Sequence, residues 1–140
     1  MKKALLILCA SGCLLGCNQN NSGTTVDGRL KDEHIRHQLT AMIPSVSRHA
    51  PWPGAVQEVL ANLDALTNVE GAKCSANQRN LLRTTTDNLR VVLADWEEYK
   101  THAAHDSDPA EEKKANQALD DCMARLEKAK GALTEAAGTF

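Results

Sequence analysis

Aromatic side chains are nearly absent from this 140-residue chain, which has two Trp, one Tyr and one Phe. Strands draw on alternating β-branched and aromatic residues, and no stretch beyond the N-terminal segment offers that pattern, so there is no basis for a sheet. Also missing are a glycine-rich phosphate loop, a G-x-S-x-G elbow, an H-E-x-x-H pair and a nucleophile set beside a base. These absences remove the common sequence signs of nucleotide binding, serine hydrolysis and zinc peptidase chemistry. The chain is expected to be no enzyme and to need no cofactor. No apolar run reaches the roughly 20 residues that a membrane-spanning helix requires. An excess of positive charge is lacking too, with 16 Lys and Arg against 18 Asp and Glu, which argues against nucleic acid as a partner.

What the chain does have is a distinctive start. Met1-Lys2-Lys3 is positive, Ala4 to Leu15 carries no charge, and polar residues follow from Asn18. A short apolar run behind a basic n-region is the pattern of a secretory signal peptide. The end of that run, Leu14-Leu15-Gly16-Cys17, resembles the lipobox of bacterial lipoprotein precursors, in which a small residue precedes the cysteine that is lipidated. Cys13 is the competing cleavage point, but it would leave an apolar run of only about six residues. The resemblance implies that residues 1–16 are removed and that Cys17 becomes a lipid anchor. With Asn18 rather than Asp behind it, it also implies sorting to the outer membrane, on the periplasmic side. It covers about the first 18 residues and implies no fold. Loss of Lys2 and Lys3 lowers the basic count from 16 to 14 against 18 acids, so the formal charge moves from −2 to −4.

Residues 17–28 are polar and rich in Asn, Thr and Gly, and are expected to form a flexible tether for an all-α domain over 29–140. That domain reads as a small bundle of three to four helices with a C-terminal helical hairpin. The first helix is expected over about Arg29 to Ile43, stopped by Pro44. A loop punctuated by proline follows to Pro53, and the second helix carries the stripe Ala55, Val56, Val59, Leu60, Leu63, Leu66 before Gly71, a candidate left-handed stop. Ser75 and Gln78 have the spacing of a capping box at the head of a third helix. Asp108, Pro109, Glu111 and Glu112 have the chemistry of a helix start, with the macrodipole favouring the acids. The stripes Leu82, Thr85, Leu89, Val92, Trp96, Tyr99 and Ala115, Leu119, Cys122, Leu126, Ala129, Leu133 both step by three and four, which predicts an antiparallel seam.

Removal of the first three cysteines from the reckoning leaves Cys74 and Cys122. In an oxidising periplasm two such thiols commonly pair. Helix geometry opposes this, because a turn near Ser107 sets Cys122 level with Val92, and Cys74 lies 18 residues further along, roughly 27 Å at about 1.5 Å per residue. A break in the run Thr84 to Asn88, which is poor in helix formers, would reconcile the two. The alternative leaves Cys122 as a small core residue and Cys74 as a partly exposed thiol.

Two histidine pairs stand three residues apart, His34 with His37 and His102 with His105, each on one helical face. With Asp106 and Asp108, the second pair could hold Zn²⁺ or Cu²⁺. Such a stretch also serves as a plain helix end followed by a cap. Trp52, between Pro51 and Pro53, is either an exposed anchor for a partner or a lid over the core.

The function expected is that of a non-catalytic, protein-binding lipoprotein of the envelope. The alternative is a metal-binding or metal-sensing one. Secretion-system pilotins, exclusion lipoproteins and periplasmic immunity or inhibitor proteins share this general architecture, a likeness of architecture alone.

Overall fold

The computed structural model describes residues 24–48, 53–71, 73–105 and 107–140, with side chains from Lys31 onward. Residues 1–16, expected to be a signal peptide, and Cys17, Trp52 and Asp106 lie outside the described residues. Four helices and a short 3₁₀ turn follow in order: α1 (Thr24–Met42), the turn Ile43–Ser45, α2 (Gly54–Glu70), α3 (Ala76–Ala103) and α4 (Pro109–Gly138). No strand occurs among the described residues, so the all-α reading holds.

Local chemistry sets most of the boundaries. The capping box at the head of α3 is formed, with the Gln78 N–H donating to Ser75 Oγ at 3.1 Å and the Ser75 N–H to Gln78 Oε1 at 2.7 Å. Asp108 caps α4 by accepting the Ala110 N–H at 2.8 Å, with Pro109 in the first turn and Glu111 and Glu112 behind it. Each arrangement satisfies N–H groups that a helix start leaves without partners.

The 63-residue span that holds α3 and α4 forms the spine of the fold, an antiparallel hairpin whose arms end at Ala103 and begin again at Pro109. Its seam buries Leu82, Thr85, Leu89 and Val92 against Cys122, Leu126, Ala129 and Leu133. Cys122 Sγ lies 3.6 Å from the Val92 carbonyl oxygen, the level expected from the turn position. Alanines at 115, 129 and 136 let the helices approach closely, while Trp96 and Tyr99 stack with ring centroids 5.2 Å apart on α3. Against this hairpin α1 packs on α4 through Ile35 and Leu39, and α2 packs on α3 through Val56, Val59, Leu63 and Leu66.

α1 runs from Thr24, and extending a helix held at Ile35 and Leu39 is far easier than nucleating one. Three expectations are corrected. Gly71 does end α2, but with φ −56° and ψ −33°, in the right-handed region. Glycine is required there because an added Cβ would press on the Thr67 carbonyl oxygen.

The Thr84–Asn88 run does not break α3. Thr85 and Thr86 are buried and donate their hydroxyls to the Leu81 and Leu82 carbonyls at 2.9 and 3.0 Å. With the hydroxyl satisfied within the helix, burial of each methyl outweighs the weak propensity of threonine.

An unbroken α3 in turn removes the third expectation, the pairing of Cys74 with Cys122, since both are free and both buried. Cys74 Sγ faces the Glu70 carbonyl at 3.4 Å, at the opposite end of the spine from the turn. Addition of reductant should therefore leave the melting temperature unchanged within about 1 °C. A bridge closing a loop of about 48 residues would instead contribute roughly 3 to 4 kcal/mol, and a fall of about 10 °C on reduction would restore the pairing.

Candidate interaction groove

Because α1 rests on α4 and α2 on α3, the two meet chiefly through the 3₁₀ turn, and their outer parts stand apart. A groove of about 600 Å³ opens between them. Ile35, Val59 and Leu66 form its floor. The α1 wall presents Lys31, His34, Gln38, Ala41 and Met42, and the α2 wall Glu58, Asn62, Ala65, Val69 and Glu70. Steps of three and four along each wall mean that each is a single helical face.

The walls differ in charge. Lys31 and His34 stand on α1, with His34 Nε2 3.2 Å from Gln38 Nε2. Glu58 and Glu70 stand on α2, and Glu70 is bridged to Lys73 at 3.2 Å. Val69 is 70% exposed, the most exposed large apolar side chain among the described residues. A second depression, of about 570 Å³, lies between α2 and α3 and is crossed by the ion pair of Arg90 with Asp64 at 3.3 Å, while Arg83 meets Asp87 at 3.7 Å along α3. Its guanidinium groups are already engaged, Arg79 by the Cys74 carbonyl and Arg83 and Arg90 by carboxylates, whereas the α1–α2 groove carries the exposed Val69 beside its aliphatic floor.

The residues singled out from the sequence fall elsewhere. Burial pushes the Cys74 thiol above its ordinary range; Arg79 draws it down, while Glu70 and Asp32 push it up further. Burial, aided by Asp95, raises Cys122 to about 11. A reactive cysteine needs the opposite shift, so neither thiol carries the mark of an activated nucleophile.

His102 turns to glutamates. Its Nδ1 lies 2.5 Å from Glu111 Oε2 and its Nε2 3.8 Å from Glu98 Oε1. Lys114, at 2.7 Å, and then His102 hold the Glu111 carboxyl down at about 2, so it is ionised at every ordinary pH. This cluster fastens the end of α3 to the start of α4. His105 is exposed and Asp108 is occupied as the α4 cap, so the geometry does not gather them around His102. Among the described residues no group of three His, Cys, Asp or Glu side chains is placed to hold a metal ion.

No protein-family model, curated protein or solved structure matches this chain. The groove therefore stands as the feature from which a function is read. Sequence reasoning missed its walls because it sought one apolar stripe per helix. Val69 was the available signal, an aliphatic residue outside the stripe of α2. No described helix is long and apolar enough to cross a membrane.

Proposed function

We propose that this chain is an outer-membrane lipoprotein, anchored through Cys17, whose helical domain is a non-catalytic protein-binding module facing the periplasm. The lipobox-like Leu14 to Cys17 supports the anchor. The observation that carries the binding role is the open groove between α1 and α2, floored by aliphatic side chains and rimmed by polar ones. Concave apolar surfaces with a few polar groups at the edge are the usual form of a recognition site. The raised thiols and the engagement of His102 by glutamates, among the described residues, support a binding reading over catalysis or metal sensing.

A photo-reactive residue in place of Ala65, in the lipidated protein and in intact envelopes, tests this reading. We expect a covalent adduct with another envelope protein from position 65 and none from position 116, which is exposed on α4 near the hairpin turn. Equal yields from both positions, or no adduct from either, would count against a binding module that works through this groove.

A further inference from the structure

The geometry points to an amphipathic α-helix of a partner protein, about three turns long, as the occupant of the α1–α2 groove. This rests on the binding role proposed above and specifies its chemistry. Size is the first ground. The α1 wall runs from Lys31 to Met42, about 17 Å at about 1.5 Å per residue, or three turns. A helix of that length and about 10 Å diameter fills roughly 1,300 Å³. A groove of about 600 Å³ therefore takes it half-sunk, with one face down and the other in water.

Backbone chemistry is the second ground. Both walls are α-helices whose main-chain N–H and C=O groups are used internally. An extended peptide lying on Ile35, Val59 and Leu66 would find no backbone partners there, and leaving such groups dry is costly. A helix satisfies its own backbone, so only its side chains need match. An acyl chain needs no hydrogen bonds, yet Gln38, Asn62 and Glu58 along the rim would lose water beside it without recompense.

Charge fixes the pattern on the partner. The α1 rim is basic at Lys31, and the α2 rim is acidic at Glu58, which among the described residues has no bridging lysine or arginine such as Lys73 provides at Glu70. The complementary helix carries apolar residues at i, i+3 or i+4, and i+7. It is flanked by Asp or Glu on the edge toward α1 and by Lys or Arg on the edge toward α2.

The test uses the adduct formed from a photo-reactive residue at position 65, digested and mapped by mass spectrometry to a segment of the partner. The expected segment shows that apolar spacing, contains no internal proline, and carries an acid along one edge. Lys31→Glu should then lower adduct yield by about five-fold, the size of an exposed charge contact. Reversal of the matching acid on the partner should restore it. Mapping to a segment without helical spacing, to a lipid, or to a second copy of this chain overturns the helix while leaving a binding role for the groove. An unchanged yield with Lys31→Glu overturns the assigned orientation and with it the proposal. Absence of any adduct at 65 removes both this inference and the binding role it rests on.

Discussion

Leu126→Ala is expected to lower the free energy of unfolding by about 3 kcal/mol, with a fall in melting temperature of roughly 10 °C. Leu126 is fully buried on α4, in the seam that faces α3. Its immediate neighbours on the same stripe are Cys122 and Ala129, both fully buried and both small. Neither can swing across to fill the space of a lost isobutyl group. The hairpin itself cannot close over the space easily, because it is held by Arg125 to Asp95 at 3.0 Å and by His102 to Glu111 at 2.5 Å. A site that cannot collapse keeps its cavity, and the cost of a leucine truncation rises with the cavity that remains. Leu93, half-buried at the edge of the same helix pair, gives the contrast. Its truncation should cost about 1 kcal/mol, since part of the side chain already meets water. Urea unfolding of the two variants checks both values. A cost below about 1 kcal/mol at position 126 would mean that the α3–α4 seam is not packed as described.

Cys17→Ser is expected to abolish incorporation of a clickable palmitate analogue and to shift the protein wholly from the membrane fraction to the soluble one. No described helix is apolar enough to span a bilayer, so among the described residues none would hold the protein in the membrane in its place. Its formal charge of −4 after loss of Lys2 and Lys3, from 14 bases and 18 acids, gives no attraction to anionic headgroups. Attachment would thus depend on the acyl groups alone, each buried CH₂ contributing about 0.8 kcal/mol. Cys13→Ser should leave labelling and fractionation unchanged. Should Cys13→Ser abolish labelling and Cys17→Ser not, the cleavage point would lie four residues earlier than proposed.

The parts of the fold that were legible in the sequence are those fixed by a few consecutive residues. Ser75 with Gln78, and Asp108 with Pro109, announce helix starts because each cap is a hydrogen bond closed within three residues. The stripes of α3 and α4 were legible because burial of one face imposes a period on the sequence. The Thr84–Asn88 run misled for the complementary reason. Propensity is a local quantity, and Thr85 and Thr86 are held helical by what packs on them. The pairing of Cys74 with Cys122 followed from compartment chemistry, which says nothing of distance; the straight-helix estimate of separation was the sounder guide. The groove was the least legible feature. It exists because α1 chose α4 and α2 chose α3, a matter of which faces meet in space, and no local signal specifies how far two neighbours on a common base stand apart. Gly71 had its effect at the expected place by another route, as a point of close approach to Thr67 rather than a left-handed turn.

The position of α1 has a mechanical consequence. In a chain anchored through Cys17, six residues separate the anchor from Thr24, where α1 begins. Only one wall of the groove is thus wired directly to the membrane, while the other continues into the hairpin. Tension between a bound partner and the bilayer would load α1 along its length, in shear against α4. The resistance there comes from Ile35 and Leu39 and from the Arg36 guanidinium, which donates to the Phe140 carbonyl oxygen at 2.6 Å. That junction is smaller than the α3–α4 seam, so under load it yields first. The partner would then be released by parting of the groove walls, with the spine of the domain still folded.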